Sequence, residues 1–345
     1  MATELATLRQ AADDVLRRAW SPAAFRDMLD GPVFEPKLWR TVGDLGWPDV
    51  LVSEGRGGGG GGLRDLCVLA EAAGAAAAPL PLAAAAAAGW CADHCGAGMT
   101  LLLPGTGDRT AAGVSGVWPV VPYGAVASTL LVCAGRGAET ALGWVELGGE
   151  GVKTEPLTPL DHNPAARISL QEAPIDVIAE GRSVESRHRA ATLRAQIAQV
   201  SELVGIASAA NEAAAEYAKL RCAFGRPIGA YQAIKHRLVD QRCAIEIGRA
   251  LVNRAADACQ LDHPHAVALA SLAAFWGIDT LRAVPEGATQ VFGGIAYTWE
   301  HDAHVHLRRA ASSVAMLGTR AYHRRVVTRW LGESNRRTDD ETPVA

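Results

Sequence analysis

The stretch Arg221-Cys222-Ala223-Phe224-Gly225-Arg226-Pro227-Ile228-Gly229-Ala230-Tyr231-Gln232-Ala233-Ile234-Lys235-His236 decides the reading of this chain. Before it runs an apolar-periodic segment from about Ser186 to Cys222, built largely from Ala, Leu, Ile, Val, Glu and Arg and free of Pro, which predicts one long helix. Gly225 and Pro227 are placed to stop that helix, and a second is expected to restart near Tyr231 and run to about Gln260. Arg221 and Phe224, three apart, would then share a helix face at the corner. A guanidinium fixed beside an aromatic ring suits a pyrophosphate joined to a flat heterocycle. The same spacing equally suits Arg221 paired with a carboxylate and Phe224 packed in a core.

Working outward, the 345 residues are enough for two or three domains with a sizeable core. The net charge of -4 gives no electrostatic reason to expect nucleic acid. The run Ala72 to Ala88 is broken by Pro79 and Pro81, and no unbroken run of bulky apolar residues reaches the length of a membrane span. Met1-Ala2-Thr3-Glu4 lacks the basic start and apolar core of a secretory leader, so a cytoplasmic location is expected. Seven cysteines, an odd number without framework spacing, suit reduced thiols. Cys91-Ala92-Asp93-His94-Cys95 lacks a second ligand pair at zinc spacing, and His263-Pro264-His265 reads as a helix start, so no metal is expected.

Three textures follow one another along the chain. Residues 1–110 are helical in pattern, with turns at Gly31-Pro32 and Gly46-Trp47-Pro48 and a glycine run at Gly57 to Gly62. Over 111–183 short apolar segments such as Ser128 to Cys133 and Gly143 to Leu147 alternate with Gly, Pro and Asp, which predicts a small β domain. Long helical periods return over 184–330, and 331–345 is polar, contains Pro343 and is expected to be a disordered tail. The fold class is therefore α+β, in the order helices, strands, helices.

Several separated segments resemble one family. Leu38-Trp39-Arg40 with Leu45-Gly46-Trp47, the loop Glu54 to Leu63, and Trp118-Pro119-Val120-Val121-Pro122-Tyr123-Gly124 fall in the right order. The second strong motif is Gln290-Val291-Phe292-Gly293-Gly294-Ile295-Ala296-Tyr297-Thr298-Trp299-Glu300-His301-Asp302, followed by Leu307-Arg308-Arg309-Ala310. With the Arg221 stretch, they resemble the acyl-CoA dehydrogenases. The resemblance implies an N-terminal helical domain, a small middle β domain and a C-terminal four-helix bundle. It also implies FAD as cofactor, with Arg221 at the pyrophosphate, Phe224, Ile228 and Tyr231 lining the dinucleotide, and Gln290, Gly293 and Gly294 completing a cradle for a neighbouring subunit's flavin. An amide supplies both donor and acceptor, and paired glycines let backbone approach a ligand; the same pair also reads as a helix C-cap and turn.

The chain departs from that pattern where the chemistry is done. The family removes the α proton of an acyl-CoA thioester with a carboxylate, a contribution on the order of a hundred- to ten-thousandfold in rate. The two positions that the resemblance assigns to the base hold Leu317 and Ala195. Glu202, Asp240, Glu300 and Asp302 are the nearby acids. Each also has a plain structural reading: Glu202 solvated, Asp240 paired with Arg237 or Arg242, Glu300 and Asp302 at a helix start. Pro285-Glu286-Gly287 predicts a kink before Gln290. Nothing between Ala111 and Leu130 reproduces the family's Thr- and Gly-Ser-Asp-containing loop at the flavin ring. What survives is the part a subunit lends to its neighbour. The resemblance therefore implies the short subunit of an α2β2 heterotetramer with a full-length dehydrogenase, acting on a bulky, steroid side-chain type of acyl-CoA thioester. The alternatives are a flavin-independent dehydratase or hydratase using Glu300 or Asp302, and a non-catalytic scaffolding subunit.

Overall fold

The protein is described here by a computed structural model covering residues 2–94 and 98–340. Five helices come first: α1 (Ala2–Ala19), α2 (Pro22–Asp27), α3 (Pro36–Asp44), α4 (Leu63–Ala75) and α5 (Leu82–Ala92). Their starts are set locally. Ser21 Oγ accepts the Ala24 N–H ahead of Pro22, and the Glu35 carboxylate accepts the Lys37 N–H ahead of Pro36, so each proline sits in a first turn where its missing donor is no loss.

The middle of the chain forms two four-stranded sheets. The strands are β1 (Thr100–Leu102), β2 (Asp108–Arg109), β3 (Val114–Val121), β4 (Thr129–Ala134), β5 (Ala141–Glu146), β6 (Val152–Pro156), β7 (Ala166–Ala173) and β8 (Asp176–Glu180). The sheet orders are β1-β4-β5-β8 and β2-β3-β7-β6, and among the described strand pairs only β1/β4 is parallel. Leu101, Leu130, Val132, Trp118, Ile168 and Leu170 share one apolar cluster between the sheets. The other face of β4, Leu131 and Cys133, packs with Ala87 and Ala88 of α5, which is why β4 is buried along nearly its whole length instead of alternating. Strand structure begins at Thr100, ahead of the change in texture at 111, because three residues between Gly98 and Pro104 are too few to show a period.

The chain then enters α6 (Arg182–Leu220), a two-stranded hairpin of β9 (Cys222–Ala223) and β10 (Arg226–Pro227), and α7 (Gln232–Gln260). Then come α8 (Ala266–Trp276), α9 (Ala283–Phe292), α10 (Ala303–Ala315) and α11 (Arg320–Asp340). One core joins α1, α4, α6, α7 and α8, so the N-terminal helices and the bundle bury each other. α4 and α6 meet backbone to backbone: a Cβ on Gly205 would lie 1.9 Å from the Glu71 carbonyl oxygen, and one on Gly74 would lie 2.0 Å from that of Glu202.

Three local expectations are corrected. Arg221 and Phe224 do not share a helix face, because α6 ends at Leu220 and the six residues after Arg221 pair as a hairpin. The irregularity expected at Pro285 lies one turn earlier, as a π-helical turn at Gly277–Leu281: Leu281 is the i−4 residue whose carbonyl a proline at 285 leaves without its helical donor. The tail does not begin at Leu331, since α11 continues to Asp340; 341–345 lie outside the described residues. The run Ala266–Tyr297 is long and apolar enough to cross a membrane by composition. That possibility does not show when runs are read one by one, and in the fold the run packs against α6 and α7 as a helix of the bundle.

Candidate functional site

At the corner after α6, Arg221 leaves helical space with φ -72 and ψ 119. Arg226 then pairs with Ala223, and Pro227 with Cys222. The two residues between them, Phe224 at φ +52 and Gly225 at φ +81, are both left-handed, as a two-residue hairpin of the I′ kind requires. Glycine accepts this freely, whereas an L side chain pays roughly 1–2 kcal/mol. Nothing buried repays it: Phe224 is 95% exposed, with its ring 6.5 Å from that of Tyr231 and nearly perpendicular to it. The Tyr231 hydroxyl donates to the Ala223 carbonyl at 3.0 Å, and the Arg226 guanidinium lies 4.1 Å over the Tyr231 ring. The Ile228 N–H donates to the Arg221 carbonyl at 2.7 Å. The Arg221 side chain is exposed and makes no ion pair among the described residues. The carboxylate-and-core reading of this pair does not hold in the fold.

The second motif ends α9. Gly293, at φ +70 and ψ -144, caps the helix and donates to the Thr289 carbonyl, so the C-cap reading of the paired glycines is realised. A Cβ on Gly293 or Gly294 would meet no atom of this chain within 4 Å, and Gln290 is exposed. A small apolar cluster, Ala214, Ala218, Ala288, Val291 and Phe292, joins the end of α6 to the end of α9, with Ile228 packed against it and the Tyr217 ring 5.1 Å from Phe292. Arg221, Phe224 and Tyr231 are thus brought to the same end of the bundle as Gln290, Gly293 and Gly294. Ile228 is partly core.

The acids expected near the second motif have other roles. Asp302 Oδ1 accepts from Arg26 Nη1 at 2.5 Å, and the same nitrogen donates to the Glu300 carbonyl at 2.8 Å, so the loop is tied to α2. The Glu300 carboxyl lies in solvent, held below its ordinary value first by its own backbone N–H and then by the Thr298 hydroxyl. Neither borders the cleft described next. Arg242 pairs with Glu212 and Glu246 and not with Asp240. Leu317 is 4% exposed in the main core. Cys91 is buried, its thiol pushed up to about 12 by burial, and Cys95 lies outside the described residues.

Ala195, by contrast, opens onto a cleft of about 190 Å3 between α6, α5 and the β domain. One wall is apolar, including Leu80, Ala84, Leu102 and Val121. The other is a single face of α6: Thr192, Ala195, Gln199 and Glu202, at spacings of three and four. Glu202 is not solvated. It is partly buried, its side chain 18% exposed, in an ion pair with the buried Arg309, whose guanidinium also donates to Tyr123 Oη at 3.2 Å and the Ala78 carbonyl at 3.1 Å, with Asp161 at 3.8 Å. Burial pushes the Glu202 carboxyl above its ordinary value and outweighs the opposing pull of Arg309. Burial likewise raises the Tyr123 hydroxyl. Sequence reasoning missed Arg226, Tyr123 and Arg309 and misplaced Glu202; the available signal was a carboxylate two helical turns past Ala195 on the same α6 face.

The fold and these two sites set the context for comparison with known proteins. The family model described as acyl-CoA dehydrogenase, N-terminal domain, matches residues 2–97, and that described as acyl-CoA dehydrogenase, C-terminal domain, matches 189–332. The chain is similar to acyl-CoA dehydrogenase FadE34 of Mycobacterium tuberculosis, with 34% identity over 90% of this chain and 46% of the relative. It therefore spans about half the length of that protein. It is also similar to acyl-CoA dehydrogenase IpdE2 of Mycolicibacterium smegmatis, with 28% identity over 92% of this chain and 96% of the relative. A solved structure described as the Tcur3481-Tcur3483 steroid ACAD G363A variant superposes with a TM-score of 0.85 and 24% identity, covering 97% of this chain and 99% of that one.

Proposed function

Because the chain belongs to the acyl-CoA dehydrogenase family, we propose that it is the short subunit of an FAD-dependent dehydrogenase that introduces an α,β double bond into an acyl-CoA thioester, lending contacts to flavin held mainly by a larger partner. The observation that carries this reading is the corner after α6: an unpaired, exposed guanidinium at Arg221 and a 95% exposed ring at Phe224 in a left-handed turn. A fold keeps such groups outward and strained when something outside the chain uses them. Arg226 over Tyr231, the open Gly293-Gly294 corner and exposed Gln290 extend the same surface.

These residues fit the pyrophosphate and adenosine portion of FAD: a cation for phosphate, a flat ring for stacking, an amide for hydroxyls, and backbone that a ligand can approach closely. When bound, FAD supplies the acceptor for the β hydride. This chain's own share is to bind and orient it from across a subunit interface. The described cysteines are all free thiols, which suits the reducing cytoplasm. A bulky, steroid side-chain type of substrate is supported by similarity to the steroid ACAD structure. A 190 Å3 cleft takes only the acyl chain next to the thioester, leaving a ring system outside.

The dehydratase alternative loses its acids, with Asp302 held by Arg26 and Glu300 in solvent. The test is co-expression with a full-length partner dehydrogenase. The complex should carry flavin, the chain alone little, and Arg221→Ala should lose flavin and activity together. Stoichiometric flavin in the isolated chain refutes lending, and full activity in Arg221→Ala would favour the non-catalytic scaffold.

A further inference from the structure

We propose that Glu202 is the proton-accepting residue of this chain, acting on the α-carbon of an acyl thioester whose chain lies along the α6 face of the cleft. The proposal rests on the acyl-CoA reading of the substrate but needs no flavin. Its base stands at neither of the two positions, Leu317 and Ala195, that the resemblance supplies.

Four observations place it there. First, the cleft is of the right size and polarity: about 150 Å3 suffices for benzene, so about 190 Å3 admits an acyl chain of roughly six carbons against Leu80, Ala84, Leu102 and Val121. Second, the carboxylate shares the polar wall, seven residues beyond Ala195 and therefore two turns along the same side of α6. Third, the backbone beneath it is rigid. Ser201 Oγ donates to the Cys67 carbonyl at 2.7 Å, and α4 meets the Glu202 carbonyl at Gly74.

Fourth, a second, polar pocket of about 50 Å3 lies behind the carboxylate, and Glu202, Gln199 and Tyr123 border both spaces. The smaller pocket gives the carboxylate a second contact with solvent.

The step balances without an oxidant. The α C–H bond breaks, an O–H bond forms on Glu202, and the electron pair stays on the thioester as its enolate. A proton returned from solvent to the α-carbon by way of Glu202 completes the exchange. Arg309 holds the carboxylate in place before the transfer, and it keeps two other acceptors, Tyr123 Oη and the Ala78 carbonyl, once the carboxyl is neutral. Burial, which raises the carboxyl, moves it toward the working pH of a base.

The experiment is wash-in of deuterium at the α-carbon of hexanoyl-CoA in D2O, followed by mass spectrometry with the full chain alone, so that no base of a partner contributes. Wild type should exchange above buffer. Glu202→Gln, near-isosteric and checked for an unchanged thermal midpoint, should exchange on the order of a hundredfold or more slowly. Glu202→Asp should retain weakened exchange with a displaced pH profile, which a merely structural carboxylate would not give. Exchange in Glu202→Gln within threefold of wild type, or wild type no faster than buffer, overturns the assignment. Flavin content is read on the same samples: stoichiometric flavin in the isolated chain refutes the lending reading, while Glu202-dependent exchange still supports this one.

Discussion

Replacing Phe224 by Asn should stabilise the isolated chain while weakening its hold on flavin. Phe224 sits at φ +52 with 95% of its surface exposed, so truncation surrenders almost no burial. The left-handed conformation charges an L residue about 1–2 kcal/mol. Asn before Gly is the preferred pair for this turn, so most of that strain is relieved and a gain of about 1 kcal/mol is expected. Unfolding entropy of about 2.1 cal/mol/K per residue over 345 residues is about 0.7 kcal/mol/K, so the thermal midpoint should rise by about 1–2 °C. In the complex the same change removes a ring that binding would bury, worth about 1.5–3 kcal/mol, or a roughly ten- to hundredfold rise in flavin Kd. Calorimetry on the isolated chain and a flavin titration of the complex read the two effects. A lower midpoint would show that the ring is packed in the free chain. Unchanged flavin affinity would show that the ring is strained for some other purpose.

Gly205→Ala should destabilise the fold. The new Cβ starts 1.9 Å from the Glu71 carbonyl oxygen and ordinary contact begins at 3.4 Å, so α4 must retreat by about 1.5 Å; that overpacking costs about 1–3 kcal/mol or more against a helix-propensity gain of about 1, read as a lower urea midpoint. Acidification should also destabilise it through His188 and His306, whose pKa values are lowered by burial. Below the ordinary value near 6.5 the unfolded chain binds protons that the folded imidazoles refuse, so stability is lost as pH falls from about 7.5 to 5.5. Glu202, raised by burial, acts in the opposite direction, so a His188→Gln, His306→Gln double variant should flatten or reverse the slope of midpoint against pH; an unchanged slope refutes the assignment.

The long elements were legible because α6 and α7, at 39 and 29 residues, carry many periods without a proline. Order of texture was legible for the same reason. The corner itself was not: strands of two residues carry no period, and Phe-Gly in place of Asn-Gly hides a two-residue turn. Pro285 was legible as a breaker, but not that its effect falls a turn earlier, as the π turn at Gly277–Leu281. Glu202 was unreadable for a different reason. α6 is buried on several sides at once, against α4, α5, α7 and α9, so no single polar stripe marks its solvent face and a carboxylate on it looks solvated by default.

The two sites also constrain each other. Glu202 and Leu220, where α6 ends beside the Arg221 corner, are eighteen residues apart on one helix, about 27 Å at 1.5 Å per residue. A group that used Arg221 and Phe224 for its phosphates and still presented its reactive atom at the Glu202 cleft would have to bridge that length over the outside of the bundle. The outward-facing corner is better matched to a cofactor whose reactive end lies in another subunit. On the two proposals together, the cleft would serve an acyl group of this chain's own, recognition would sit at one end of α6 and proton transfer near its middle, and separate active sites would draw on the two.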